Sequence, residues 1–276
     1  MMRDTLAGNI ARYRKDLGMT QEMLAEKLGI TFQAVSKWET GQTVPDTMLL
    51  PALARALNTG IDKLMGYAAF GGDTSFYEDQ YQKEAYFWGV EPNTTCLKTL
   101  ELMPPSRPLK LLDIGCGEGK DAVFFARCGY DVSAFDISEA GLEKTKRLAD
   151  KAQVHVRTFR ANLWDYRLHE HYDILYSSGA LHYIKPELRD EIMANYKAHV
   201  SIGGLAAFHV FVQKPFIVPP PEKEDHAHLW QSGQLFTCFH DWYIERCEEY
   251  VFDCNSSGIP HRHAANRLFA RNVLDS

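Results

Sequence analysis

The stretch LLDIGCGEG, residues 111–119, decides the fold of the longer part of this chain. It continues an apolar run that starts at residue 109, and the amphipathic run KDAVFFARCG follows its glycines. This order predicts a buried strand, a tight turn and a helix. Further strands are predicted at DVSAFD, VHVRTF, YDILYSS and GLAAFHVFV, with helices at SEAGLEKTKRLADK and PELRDEIMANYKAHV. We therefore expect an α/β fold with a doubly wound, mainly parallel, Rossmann-like sheet that binds its ligand at the carboxyl ends of the strands.

The spacing within the turn separates classes of cofactor site. A phosphate-binding loop requires GxxxxGK followed by Ser or Thr. Here the distance from Gly115 to Lys120 is one residue too short, and Asp121 follows. A dinucleotide fingerprint requires Gly or Ala where Lys120 stands, which disfavours a nicotinamide-dependent oxidoreductase.

Carboxylates surround the same turn. Asp113, Glu118 and Asp121 flank it, and Asp136 ends the next predicted strand, at the spacing where an acid takes both ribose hydroxyls of a nucleoside. These groups would repel a pyrophosphate but tolerate a ligand with an ammonium and a sulfonium, such as S-adenosylmethionine. The glycines alone are also consistent with a purely structural tight turn.

Five segments resemble class I S-adenosylmethionine-dependent methyltransferases: LLDIGCGEG, AFDIS, RANLWD, YDILYSSGALHYI and IGGLAAF. YFWGVEPN and GIPHRHAANRLFARN are more loosely similar to the tellurite-resistance type of methyltransferase. The resemblance implies S-adenosyl-L-methionine as the cofactor. By position, the implied cofactor contacts are Asp113, Gly115, Cys116 and Gly117 around the methionine moiety, Asp136 at the ribose, Ile137 and Leu163 at the adenine faces, Asn162 with its amide oxygen at the adenine amino group, and Ser178 at the amino-acid end.

The methyl acceptor is less clearly indicated. A soft nucleophile needs no base, whereas a hydroxyl or amine acceptor needs one, and His182 after the fourth strand is placed for that role. A histidine packed in the loop explains the same position equally well. Tyr86 and Trp88 are candidates to wall the sulfonium by cation–π attraction, or to form the core of a lid. The proline-rich segment 213–231 also has the length of a lid over the acceptor.

Histidines and cysteines accumulate toward the end of the chain. Three thiols would suit a soft ion or a metalloid. Because their spacings are irregular, we expect inert thiols and no metal site. The residues concerned are His226, His228, His240, His261 and His263, with Cys238, Cys247 and Cys254.

The first 66 residues predict a small helical bundle. Leu6, Ile10, Tyr13 and Leu17 recur at helical spacing, and Gly18 follows as a glycine cap. The short helices QEMLAEKL and FQAVSKWE come next, joined by a three-residue turn that contains glycine, which is the helix-turn-helix plan. Two more helices are expected around 46–57 and 62–65.

The run TQEMLAEKLGITFQAVSKWETG resembles the Cro and phage-repressor (Xre) helix-turn-helix family. This resemblance implies binding to double-stranded operator DNA, commonly as a homodimer. Phe32 departs from the pattern, because a polar or basic residue is expected at that outward position. The alternative is a module used only for dimerisation or docking. The implied DNA contacts are Gln21 and Thr31 at the phosphate backbone and Gln33, Ser36 and Lys37 in the major groove.

Length and composition limit the number of domains and the kinds of partner that this chain can have. The chain has 276 residues, 45% of them hydrophobic, and we expect three parts: a helix-turn-helix domain at 1–66, a linker at 67–75 and a methyltransferase domain at 76–276. No apolar run reaches the length of a membrane span and no signal peptide is present, so a cytoplasmic protein without membrane contact is expected. Residues 1–66 hold 8 Lys/Arg and 7 Asp/Glu against 22 and 29 in the remainder, so the acidic longer part is a poor match for nucleic acid.

Two functions remain in competition. The first is a methyltransferase that acts on a small-molecule acceptor and carries an operator-binding domain. The second is a transcriptional regulator whose methyltransferase-like domain senses S-adenosylmethionine or another ligand without turnover. DNA methylation is disfavoured, because SSGA stands where such enzymes carry [DNS]PP[YF].

Overall fold

A computed structural model describes residues 2–65, 76–218, 227–255 and 259–273. The chain divides into two compact units, Met1–Asp73 and Thr74–Ser276, and each has hydrophobic clusters of its own. The expected linker at 67–75 lies outside the described residues. None of the helices in the described ranges combines the length and the apolar character that a membrane crossing requires.

Residues 2–65 form a bundle of short helices. Thr20 accepts a hydrogen bond from the Met23 amide (3.2 Å) and Gly29 takes the left-handed conformation, so both predicted ends of the second helix are confirmed. Leu17 was expected inside, but it is 45% exposed because the first helix ends one residue earlier. Pro51 is accommodated in the first turn of a helix, where its missing amide proton costs nothing. The helices are α1 (Met2–Asp16), α2 (Gln21–Leu28), α3 (Phe32–Glu39), α4 (Leu50–Ala56) and α5 (Ile61–Met65), with a 3-10 turn at Thr47–Leu49.

The second unit is an α/β domain. Its helices are α6 (Phe76–Tyr81), α7 (Thr94–Leu102), α8 (Lys120–Arg127), α9 (Glu139–Lys151), α10 (Arg189–Ala198) and α11 (Gln234–Cys238). Its strands are β1 (Lys110–Ile114), β2 (Asp131–Asp136), β3 (Val156–Arg160), β4 (Tyr172–Ser178), β5 (Val200–Val212), β6 (Tyr243–Cys254) and β7 (His261–Arg271).

The strands form one sheet in the order β3-β2-β1-β4-β5-β7-β6. β1 to β5 run parallel, whereas β7 is antiparallel to β5 and β6 is antiparallel to β7. Leu112 and Ile114 belong to one hydrophobic cluster and Leu111 to another, because alternate side chains of a parallel strand enter cores on opposite faces. The direction of winding reverses between β1 and β4, and such a switch point opens a crevice at the carboxyl ends of the strands.

The predicted doubly wound, mainly parallel sheet is thus confirmed, and β2 has the predicted bounds. The hairpin of β6 and β7 was not predicted. Its two strands lie next to β5 and form one edge of the sheet, with β6 outermost. Along β6, most residues alternate between exposed and half-buried positions. The antiparallel return brings the start of β7 beside the end of β5, where Val212 pairs with Ala264.

Candidate cofactor site and DNA-binding surface

The glycine-rich turn after β1 has a backbone that demands glycine. Gly115 and Gly117 have φ of 72° and 54°, in the left-handed region that side chains disfavour. A Cβ on Gly115 would lie 2.3 Å from the Cβ of Ala180, and one on Gly117 would lie 2.9 Å from the Tyr81 hydroxyl. The turn therefore combines left-handed backbone with close packing, which is more than a tight turn alone needs.

Asp136 lies directly beside this turn. Its carboxylate accepts hydrogen bonds from the amides of Gly117 (2.8 Å) and Ser138 (2.9 Å). Burial raises its pKa above the usual 3.8, and the backbone hydrogen bonds oppose that shift. Since a carboxylate oxygen accepts more than one hydrogen bond, Asp136 keeps capacity for two hydroxyl donors. The predicted pairing of the turn with an acid at the end of β2 is realised in the geometry.

Asp113 is the second acid at this edge, and it is 3% exposed. Burial raises the pKa of Asp113 well above its usual range, and the neighbouring charges of Asp121 and Asp136 raise it further. Carboxyl groups that disfavour each other's ionisation form a site whose negative charge a bound cation would relieve.

Glu118 and Asp121 have another role than the one expected from the sequence. The Glu118 carboxylate forms a buried ion pair with Lys144 (2.7 Å) and accepts the Trp88 amide (3.1 Å). Asp121 accepts hydrogen bonds from the Asn93 side chain and from the Tyr176 hydroxyl (2.8 Å). Because Lys144 neutralises it, Glu118 does not add to the negative charge around the turn as the sequence led us to expect. Both acids fasten the segment that follows α6 onto the glycine-rich turn.

An aromatic cover lies above the turn. The Trp88 indole nitrogen donates to the Tyr81 hydroxyl (2.9 Å), and the Trp88 ring packs against Tyr77 and Phe87 at 5.8 and 4.8 Å between centroids. The Tyr81 hydroxyl in turn packs closely against Gly117, and the role of Trp88 near the cofactor stays a prediction. Tyr86 differs, because its ring faces the Lys144 ammonium at 5.0 Å and its hydroxyl donates to the Lys144 carbonyl (3.2 Å). The cation over Tyr86 is therefore a lysine of this chain.

Asn162 follows β3 and is 6% exposed. Its amide oxygen accepts the Trp164 amide (2.9 Å), and within the described residues its buried amide nitrogen has no hydrogen-bond partner. The predicted contact used the oxygen as an acceptor for the adenine amino group. The structure instead leaves the nitrogen available as a donor, which suits a ring nitrogen of adenine.

The other predicted cofactor residues lie along the same edge. Ile137 is half-buried directly after β2, and Leu163 packs against the main hydrophobic cluster. Cys116 lies between the left-handed Gly115 and Gly117, and burial raises the pKa of its thiol. Ser178 ends β4, and its hydroxyl accepts a hydrogen bond from Asn93 (2.9 Å).

His182 belongs to the buried interior. It is 1% exposed, and its ring stacks on Phe211 and Tyr183 with centroids 4.7 and 4.3 Å away. Burial first, then the neighbouring His209 and His263, lower the pKa of His182 to about 3. An imidazole that is so weakly basic is a poor general base at neutral pH. The geometry favours the packed histidine, and the catalytic role of His182 stays an unsupported prediction.

Part of the predicted acceptor lid lies outside the described residues, including His226 and residues 219–225. Its described ends are anchored. The His228 amide donates to the His182 carbonyl (2.7 Å), and Trp230 is fully buried with its ring nitrogen donating to the Leu181 carbonyl (3.2 Å).

The predicted recognition helix α3 has one buried and one outward side. Val35 and Trp38 enter the core of the first unit, whereas Gln33 and Lys37 are exposed and Ser36 is half-buried. The exposed fraction of Phe32 is 46%, which places an apolar ring on the outward side.

Two predicted phosphate contacts stand differently. Thr31 is the N-cap residue directly before α3, but its hydroxyl makes no capping hydrogen bond with the helix. Gln21 donates to the Glu39 carboxylate (2.8 Å), which also forms an ion pair with Arg14 (2.6 Å). Gln21 therefore links α2 to α3 inside the unit, and its second amide hydrogen is what remains for a phosphate.

Several residues of the cofactor edge were missed in the sequence. Tyr81, Asn93 and Lys144 all hold the cover onto the turn. Lys144 had a detectable signal, because it occupies the buried side of the amphipathic α9 between Leu142 and Thr145. Asn93 and Tyr81 had none, since their partners are distant in the sequence.

The sheet order, the glycine-rich turn after β1 and the acid at the end of β2 define the fold class of the S-adenosylmethionine-dependent methyltransferases. The chain belongs to the TehB family, since the model of tellurite resistance protein TehB matches residues 75–258. A second model, of the helix-turn-helix family, matches residues 10–64. Both resemblances inferred from the sequence are confirmed.

Each of the two parts matches relatives of its own. A probable S-adenosyl-L-methionine-dependent methyltransferase TehB of Haemophilus influenzae is 27% identical over 58% of this chain and 56% of its own length. The chain thus spans about half the length of that relative. An HTH-type transcriptional regulator of Methanothermobacter thermautotrophicus is 46% identical over 17% of this chain and 70% of its own. The crystal structure of TehB from Haemophilus influenzae shares the fold, with a TM-score of 0.59 and 19% identity over 71% of this chain and 66% of that one.

Proposed function

We propose that the longer unit transfers a methyl group from S-adenosyl-L-methionine to a small-molecule acceptor, and that the helix-turn-helix unit binds operator DNA. The observation that carries the first half is the Asp136 carboxylate beside the left-handed Gly117 backbone. This arrangement offers an anionic acceptor for ribose hydroxyls at a turn that leaves no room for side chains.

The residues present fit this cofactor. Burial raises the pKa of both Asp113 and Asp136, and a bound cation would favour their ionised forms. The Asn162 amide nitrogen is a buried donor still without a hydrogen-bond partner in the described ranges. The Trp88 indole nitrogen donates to the Tyr81 hydroxyl, whose oxygen packs against Gly117. These contacts support a position for the Trp88 ring facing the sulfonium. When bound, S-adenosylmethionine supplies an electrophilic methyl group on a sulfonium. The chain's own part is to bind, to align and to exclude water.

The acceptor that suits this site is a soft nucleophile. Its electron pair forms the new bond to the methyl carbon while the carbon–sulfur bond breaks toward the sulfonium, so no proton need leave the acceptor first. His182 is buried with a pKa of about 3, and it offers little help to a hydroxyl or amine acceptor. Thiolates and reduced chalcogen species meet this requirement, and the family's description as tellurite resistance proteins agrees with the second.

An acceptor screen tests the proposal. The purified chain is incubated with S-adenosylmethionine carrying a tritiated methyl group and with thiols, phenols, amines and chalcogen oxyanions under reducing conditions. Transfer to a thiol or chalcogen acceptor that disappears in Asp136→Ala and persists in Asp131→Ala supports it. Asp131 is a matched control, because it is an exposed aspartate at the opposite end of the same strand. Transfer to amines or phenols alone would contradict the soft-acceptor proposal.

The second candidate is a regulator that binds the cofactor without turnover, and the packed His182 favours it as well. It predicts that operator affinity shifts on addition of S-adenosylmethionine while no acceptor is methylated. For the DNA-binding half, Gln33→Ala and Lys37→Ala are each expected to weaken operator binding and to relax base preference, because both residues are predicted major-groove contacts. Selection from a random duplex library followed by fluorescence anisotropy measures both.

A further inference from the structure

Three side chains that can bind a metal lie close together where β6 ends and β7 begins, outside the cofactor site. Ligand atoms of Cys254, His261 and His263 all lie within 4.8 Å of one another, and each residue is half-buried. The hairpin register explains the meeting. Cys254 pairs directly with His261, and Phe252 pairs with His263. Because opposed residues of an antiparallel pair share a face, as do residues two apart in one strand, the three side chains lie on the same face.

We propose that Cys254, His261 and His263 bind one divalent ion of the zinc class through a thiolate and two imidazoles, with a fourth coordination position left for water or another small ligand. A mixed thiolate and imidazole set suits zinc, and three protein ligands with an open position are typical of zinc sites that bind an exchangeable ligand.

The hydrogen bonds of His261 prepare it for this role. Its Nδ1 lies 2.7 Å from the Ile259 carbonyl oxygen, and since that oxygen can only accept, Nδ1 carries the proton. In the neutral ring, Nε2 then presents a lone pair. This nitrogen lies 2.8 Å from Nε2 of His263. A ligand histidine whose other nitrogen donates to a backbone carbonyl is the usual outer-shell arrangement of zinc sites.

The separation of the two imidazole nitrogens, 2.8 Å, needs little adjustment. Tetrahedral coordination by two imidazoles places their nitrogens about 3.3 Å apart at ordinary zinc–nitrogen distances. The ion would replace the hydrogen bond between the two rings: the proton that His263 holds on Nε2 would move to its Nδ1 through solvent, and the Cys254 thiol would release its proton to solvent. The His263 ring is steadied by a parallel stack on Phe211, with 4.6 Å between centroids and 8° between planes.

The three residues lie at the same end of the sheet as the cofactor residues, namely at the carboxyl ends of the parallel strands. β7 starts where β5 ends, since Phe211 pairs with Ala265 and Val212 with Ala264. β5 is parallel to β4, so this is the edge at which Ser178 also ends its strand. No metal site was expected in this region, because the histidines and cysteines near the end of the chain are irregularly spaced. An antiparallel hairpin brings together residues whose sequence separation depends only on the length of its loop.

Cobalt binding tests the proposal without any methyl donor. The untagged full chain, stripped with chelator, is titrated with Co²⁺ and then with Zn²⁺. We expect one ion per chain, the visible bands of tetrahedral cobalt, and a thiolate-to-cobalt charge-transfer band that Zn²⁺ abolishes. Cys254→Ser should remove the charge-transfer band, and His261→Ala or His263→Ala should each weaken zinc binding at least about a hundredfold.

Cys247→Ser is the matched control, because Cys247 lies on the same strand, is exposed and is not part of the cluster. It should leave the titration unchanged. Far-ultraviolet circular dichroism of each variant shows whether the fold is intact, and His261→Gln offers a second, milder variant. Absence of stoichiometric binding, or binding that Cys254→Ser and His261→Gln leave intact, would overturn the proposal.

Discussion

The two halves of the sheet edge are built in different ways. On the β1–β2 side, left-handed glycines form the turn at 115–119. The carboxylates of Asp113 and Asp136 lie at the ends of the two strands, and Asp136 accepts a hydrogen bond from an amide of the turn. On the β4–β5–β7 side, the ring of Phe211 stacks on both the buried His182 and the half-buried His263. The first half presents charge and hydrogen-bond acceptors, and the second presents aromatic surface and imidazoles. The β1–β2 side, which we call the cofactor side, is specified by short local segments. The β4–β5–β7 side, which we call the acceptor side because the predicted base His182 lies there, depends on which strands pair.

The largest expected effect comes from the buried ion pair on the cofactor side. Glu118→Gln leaves the Lys144 ammonium without its charge partner at a site where both side chains are almost fully buried. Breaking such a pair costs about 3–5 kcal/mol of unfolding free energy. The exposed pair of Glu143 and Lys146 is the control, and Glu143→Gln should leave stability unchanged. Urea denaturation of both variants measures the difference, and equal losses would contradict the structural role of Glu118.

Next comes the backbone of the turn itself. Gly115→Ala adds a Cβ that meets Ala180 at 2.3 Å in a left-handed conformation, whereas Gly129→Ala meets open space at φ of 98°. Backbone strain costs about 1–2 kcal/mol in both, and the clash adds about 1–3 kcal/mol in the first only. In thermal unfolding, Gly115→Ala should therefore have a lower melting temperature than Gly129→Ala. The opposite ranking would show that the turn is not tightly packed.

The pH dependence of cofactor binding sharpens the comparison further. Burial raises the pKa of Asp136 above 3.8, and only the ionised carboxylate can accept from both ribose hydroxyls. Affinity for S-adenosylmethionine should be constant at neutral pH and fall as the pH drops through that raised pKa. In Asp136→Asn the affinity should be low throughout and the slope should disappear. An acid slope that persists in Asp136→Asn would assign it to another group, such as Asp113.

The smallest expected effect lies on the acceptor side. His182→Phe keeps a ring in the stack on Phe211 and removes the imidazole. Because the wild-type imidazole is buried and weakly basic, the methylation rate should change less than about tenfold, whereas loss of a true general base costs about 10²–10⁴-fold. A loss of the larger size, seen with a hydroxyl or amine acceptor, would restore His182 as the base.

Much of the cofactor side could be predicted from the sequence, because the turn and Asp136 lie within one strand–helix–strand unit whose pattern is local. The tethering of Glu118 and Asp121 could not, since Lys144, Asn93 and Tyr176 are remote in the sequence. On the acceptor side, the burial of His182 depends on Phe211 from another strand, and the meeting of Cys254 with His261 depends on the hairpin register. A single-sequence pattern carries no signal for such pairings.

The central claim is that the carboxylates of the cofactor side select a cationic nucleoside. Isothermal titration of the wild-type chain and of Asp136→Asn with S-adenosylmethionine, NADH and ATP tests it most directly. We predict that S-adenosylmethionine binds the wild-type chain with one site, that Asp136→Asn weakens it at least about tenfold through loss of a charged acceptor, and that neither phosphorylated nucleotide competes. Binding of NADH or ATP in place of S-adenosylmethionine, or S-adenosylmethionine binding that ignores Asp136→Asn, would contradict the account.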